Sequence, residues 1–120
     1  MIEQLKDVAA DVVGFRATGQ ITKEDFDNVL LPAVNALAER KGDIKYMLIL
    51  DTDISNLTPG AWFDDIKMGL MHLLKWRKMA IVTDQPGVNK MTDMAAHILP
   101  GEVKSYTIAE TEEAKKWLAL

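Results

Sequence analysis

The sequence predicts a single α/β domain over residues 1–120, built on a mixed sheet of about five strands with helices on both faces. Three observations carry this. The chain opens with two alternating segments that read as a hairpin. Two later runs, Ile44 to Leu50 (IKYMLIL) and Lys78 to Thr83 (KMAIVT), are almost wholly apolar, as strands buried on both faces are. Segments of helical period stand between and after them, so strands and helices alternate to the end of the chain.

Met1 to Val8 alternates loosely, with Ile2, Leu5 and Val8 apolar, and reads as an edge strand. Ala9, Ala10 and Asp11 make a short turn. Asp11 to Thr18 then sets Val13, Phe15 and Ala17 on one face and Val12, Gly14, Arg16 and Thr18 on the other. A tight connection between the two gives the hairpin, and Gly19 closes it. Thr22 is a good N-cap for the next helix, and Asp25 nearly completes a capping box. Phe26, Val29, Leu30, Ala33 and Leu37 share its apolar face, while Leu31 falls off that stripe and reads as a locally exposed leucine or part of a partner contact. Pro32 is expected to kink the helix, and Gly42 to end it after Arg40 and Lys41.

The buried strand Ile44 to Leu50 leads through a polar loop (Asp51, Asp53, Ser55, Asn56) into a long helix, Thr58 to Trp76. Thr58 suits the N-cap, Pro59 the first turn, and Asp64 and Asp65 the positive end of the dipole. At ~100° per residue, Trp62, Phe63, Ile66, Leu70, Leu73 and Leu74 fall within an arc of roughly 120–140°. Asp64, Asp65, Lys67, His72 and Lys75 take the other side, joined there by Met68 and Met71. After the strand at Lys78 to Thr83, Asp84-Gln85-Pro86-Gly87 breaks the chain. Val88 to Leu99 is a weaker helix with Met91, Met94, Ala95, Ile98 and Leu99 on its apolar side, ended by Pro100-Gly101. Glu102 to Ile108 alternates as a last strand. Thr111 is expected to cap the final helix, anchored by Ala114, Trp117 and Leu118.

Composition narrows the function. A net charge of −4 and a pI near 5.1 argue against a nucleic-acid backbone as partner, and against anionic lipid bound through charge alone. With no cysteine there is no disulfide, thiol nucleophile or thiolate metal site. Acidic residues near the start do not fit a signal peptide, and no apolar run reaches the ~20 residues of a membrane span, so a cytoplasmic protein is expected.

Asp51 and Asp53 stand at the carboxyl end of one buried strand and Asp84 at the end of the next, where α/β folds place their sites. Aspartates are equally the ordinary residues of such turns. Neither His72 nor His97 has a serine or cysteine nucleophile motif beside it, and no GxGxxG or GxxxxGK[ST] phosphate loop occurs. Basic residues at Lys75, Arg77 and Lys78, with Trp76, read as a solvated helix end. No catalytic residue, metal or cofactor is therefore expected. What remains is apolar excess: Met68, Met71, Met91 and Met94 lie on two helices that need fewer apolar residues than they have. Flexible thioethers of this kind recur at adaptable apolar sites.

The whole chain resembles the bacterial SpoIIAA-like family, whose fold is shared with STAS domains and CRAL-TRIO lipid carriers. The marks are LILD (Leu48 to Asp51), Gly60-Ala61-Trp62, KMGL (Lys67 to Leu70), WRK (Trp76 to Lys78) followed by Ala80 to Asp84, and Pro100-Gly101-Glu102-Val103-Lys104. The resemblance to CRAL-TRIO domains implies a hydrophobic or lipid-like ligand. Trp62, Phe63, Ile66 and Leu70 would line or shield its pocket, and Met68, Met71, Met91 and Met94 would adapt to the guest. Reversible membrane contact through the same surface, and a homodimer through exposed parts of the apolar helices, complete that expectation. The resemblance to STAS antagonists of anti-sigma factors implies instead a protein–protein regulator. Their Asp-Ser-Ser-Gly motif is phosphorylated on its first serine. Counted back from Gly60, Thr58 falls at that serine, Leu57 at the aspartate, and Pro59 replaces the second serine.

Overall fold

A computed structural model describes residues 1–52, 76–84 and 101–120. Five strands form one sheet in chain order: β1 (Ile2–Gln4), β2 (Val12–Thr18), β3 (Ile44–Asp51), β4 (Trp76–Val82) and β5 (Glu102–Tyr106). β1 runs antiparallel to β2, and β2 through β5 run parallel, which makes the sheet mixed as expected. β3 lies at its centre and is buried along most of its length, in keeping with its apolar sequence. The opening hairpin exists, but β1 is short and the connection is long: Gln4 is its last residue, and Leu5 N–H donates to Gly14 C=O before the chain turns into β2.

The first helix, α1, runs without interruption through Lys23–Asp25, a π turn at Phe26–Leu30, and Leu31–Lys41. Thr22 and Asp25 make the complete capping box: Asp25 N–H donates to Thr22 Oγ1, and Thr22 N–H to Asp25 Oδ2. The π turn meets the problem that Pro32 poses. A proline cannot donate to the carbonyl four residues back, and its ring presses on that carbonyl. Leu31 N–H bonds instead to Phe26 C=O, five residues back. The extra residue also turns Leu31 inward, where it is half-buried against the core rather than exposed as its stripe position suggested. Gly42, at φ 78°, ends the helix in the left-handed conformation.

Trp76 corrects the sequence reading most plainly. It begins β4, buried at 5% exposure, and does not end a helix. Ile44 pairs with Trp76 but Lys45 pairs with Lys78, so Arg77 is an extra residue in β4. The bulge re-aims the side chains: Trp76 joins the core on the α1 side, while Lys78 and Lys45 face the other way. Opposite α1, a 3-10 turn (Ile108–Glu110) leads into α2 (Thr111–Ala119). Its start also differs from expectation. The cap is Thr107, whose N–H and hydroxyl both donate to Glu110 Oε1, rather than Thr111.

Each face of the sheet thus carries its own core. The α1 side holds Phe15, Ala17, Ile21, Phe26, Leu30, Val34, Leu37, Ile44, Tyr46, Leu50 and Trp76, with Tyr46 meeting Phe15 and Trp76 at ring-centroid distances of 5.9 and 5.8 Å. The α2 side holds Val12, Met47, Ile49, Ala80, Val82, Ala114 and Leu118.

Candidate functional site

Open α/β sheets place ligands outside the carboxyl ends of their parallel strands. Here those ends are Thr18, Asp51, Val82 and Tyr106. Asp51 and Asp84 both stand at this rim, two residues beyond the paired Ile49 and Val82. Each is bound to a different neighbour. Asp51 Oδ2 accepts from the Arg16 guanidinium at 2.5 Å, tying β3 to β2. Asp84 Oδ1 accepts from Ile108 N–H at 3.0 Å and so holds the turn that starts α2. Thr83 N–H donates to Tyr106 C=O, and Thr52 Oγ1 donates to Gly19 C=O at 2.9 Å. The polar groups of this rim close loops. Among the described residues no three of His, Asp and Glu gather as a metal-holding group.

The remaining expected site residues lie outside the described residues: Asp53, Thr58, Trp62, Phe63, Ile66, Met68, Leu70 and Met71 after β3, and Met91 and Met94 after β4. His72 and His97 lie outside them as well. Topology nevertheless sets where these segments join the sheet. Both leave from the carboxyl ends of adjacent parallel strands, β3 and β4.

At the opposite rim the expected basic cluster is split by the β4 bulge. Trp76 is buried, Arg77 is exposed with Nη1 3.4 Å from Asp43 Oδ2, and Lys78 turns to the α2 side. An open depression of about 430 Å³ lies there between Asp43, Arg77 and Glu102.

Sequence reasoning missed a polar rim around α2. Lys45 sits at 6% exposure on β3, and its ammonium donates to Asp11 Oδ2 at 2.8 Å and to Leu120 C=O at 3.3 Å. Lys78 Nζ donates to Trp117 C=O at 2.9 Å, and Lys78 and Lys104 ammoniums stand 5.2 and 4.9 Å from the centre of the Trp117 ring. These cations meet the negative end of the helix dipole, where positive charge is favourable. Lys115 bonds Asp7 at 2.6 Å. The Lys45 hydrogen bond holds the Asp11 carboxyl below its ordinary pKa, and the Lys115 hydrogen bond does the same for Asp7. Asp7 in turn raises Lys115. A signal existed: a lone lysine inside an apolar strand needs a partner.

The arrangement is that of an open, mixed α/β sheet in which Asp51, Thr52 and Asp84, the described polar groups at the carboxyl rim, are tied to neighbouring strands and turns. The chain belongs to the SpoIIAA-like family, whose sequence signature covers residues 12–119. It is similar to the crystal structure of an uncharacterized protein with a SpoIIAA-like fold from Shewanella loihica PV-4. That likeness has 26% identity and a TM-score of 0.70, and it covers 98% of this chain and 93% of that one. No curated protein matches the chain. The resemblance expected from the sequence is thereby borne out, and such a fold supports a regulatory module in general terms. Among the described residues no helix is long and apolar enough to cross a membrane.

Proposed function

We propose that this protein is a non-enzymatic binding module that holds a hydrophobic or lipid-like molecule. The guest lies between the segment carrying Trp62, Phe63, Ile66, Met68, Leu70 and Met71 and the segment carrying Met91 and Met94. The same surface touches membranes reversibly. One observation carries the reading: both methionine-bearing segments depart from the carboxyl ends of adjacent parallel strands, the usual ligand position of an open sheet. The chemistry agrees. Burying apolar guest surface yields about 25 cal/mol per Å², and thioethers refit to guests of differing shape. Asp51 and Asp84, the described acids at that rim, are committed to Arg16 and Ile108, which favours binding over acid–base work.

The test is lipid binding by a Met71→Asp, Met94→Asp variant in a liposome flotation or lipid-transfer assay. The proposal expects binding to fall by at least tenfold while the fold persists. Undiminished binding would remove this version of the site.

Family membership supports a second reading, a regulatory protein–protein module switched at Thr58. Phosphate added to a hydroxyl at a helix start meets free N–H groups and the dipole. Phosphosite mapping of protein from its native cells expects modified Thr58 under this reading, and a consistently unmodified Thr58 contradicts it.

A further inference from the structure

Among the described residues β5 is the outer strand of the sheet, and it is the longer of the two rims: five residues against three in β1. Thr83 N–H donates to Tyr106 C=O at 2.9 Å, so Tyr106 turns its backbone groups toward β4. Alternation along the strand turns those of Lys104 and Glu102 the same way, and those of Val103 and Ser105 outward. The side chains alternate as well. Lys104 lies on the α2 side, over Trp117, and Glu102, two residues away, shares that face; both are exposed. Val103 packs toward the other side, paired with Met79.

We propose that β5 is a self-association edge that pairs antiparallel with β5 of a second copy, about a two-fold axis at Val103. Charge selects this register. With Val103 opposite Val103 of the second copy, Glu102 faces the second copy's Lys104 and Lys104 faces its Glu102. These fall at the closely spaced, non-hydrogen-bonded positions, where opposite charges attract most and like charges cost most. Moving the axis to Lys104 sets the two ammoniums directly against each other. The outward N–H and C=O of Val103 bond their counterparts, and those of Ser105 reach Gly101 of the second copy.

Gly101 fixes where the edge begins. A Cβ there would stand 2.6 Å from Trp76 O and 2.7 Å from Arg77 O, so the start of β5 is seated tightly on β4. Among the described residues no strand pairs with the outer side of β5, and such an edge is a template for another chain. Here Lys104 discourages indiscriminate pairing, and Glu102 makes this one pairing complementary. The proposal does not rest on the ligand reading. It rests on the described β5 residues alone.

Sedimentation equilibrium of the full chain across the micromolar range tests it. A reversible dimer is expected. Glu102→Lys and Lys104→Glu each turn two symmetry-related pairs repulsive and should raise the dissociation constant about tenfold. An equimolar mixture of the two variants should recover association, because each then meets its opposite. Val103→Pro should abolish the dimer without disturbing the β4 ladder, since the N–H it removes faces outward. A monomer at every concentration would overturn the proposal. So would a dimer indifferent to the charge variants and to their mixing, which places the contact elsewhere.

Discussion

The two faces of the sheet are held by different physics. On the α1 side, Phe15, Tyr46 and Trp76 stack ring on ring beneath a helix whose inward residues are all apolar. On the α2 side the core formed by the described residues is smaller, and much of the docking of α2 falls to a rim of lysines that grip acids, carbonyls and an indole. Burial of apolar surface is insensitive to pH and little weakened by moderate salt, whereas exposed ion pairs respond to both. The α1 side should therefore set overall stability, and the α2 side should be the part that conditions adjust.

The comparison can be broken by substitution. Tyr46→Ala removes the ring between Phe15 and Trp76 and should cost about 3–5 kcal/mol in urea denaturation. Leu118→Ala, on the α2 side, where the described core is smaller, should cost about 2–3 kcal/mol. Equal losses at the two sites would dissolve the distinction. Gly101→Ala forces a methyl group against two backbone carbonyls and should cost about 1–3 kcal/mol. Its effect should appear first as loosened hydrogen exchange in β5.

The smallest expected effect is the most diagnostic. Asp7 and Asp11 bind protons less readily folded than unfolded, because Lys115 and Lys45 hydrogen-bond their charged forms. Their contribution is complete above the unfolded carboxylate pKa of about 4 and is lost as pH falls through the lowered folded values. Lys115 is raised, so its share is complete below about 10.4 and lost as pH rises through the folded value. Protection of α2 amides from exchange, corrected for the intrinsic rate at each pH, should thus be flat near neutrality and fall in acid before that of α1. Asp11→Asn should reduce that acid response, and an unchanged profile would assign it to other groups.

Much of this fold was legible because it is written in local spacing. Thr22 and Asp25 lie three residues apart and form their capping box from that spacing alone. The run Ile44 to Leu50 reads as central because a strand buried on both faces has no polar side. Trp76 was not legible: its burial depends on a bulge set by pairing with β3, and its sequence context continues a helical stripe. Pro32 was half legible, since a distortion was expected but not the π turn that turns Leu31 inward. Thr107 was overlooked although Thr107 and Glu110 carry capping-box spacing, because Thr111 offers a second candidate one turn later. Lys45 was hidden within an apolar run, and its partners Asp11 and Leu120 come from distant parts of the chain. At the candidate site, the roles of Asp51 and Asp84 as loop ties depend on β2 and on the start of α2, contacts that no motif encodes.

The binding-module account is tested most directly by native mass spectrometry of the protein purified from its own cells, before and after organic extraction. The account predicts a co-purified apolar mass that disappears on extraction and names the ligand class. A clean apo mass in both samples, with no lipid taken up on re-addition, would contradict it.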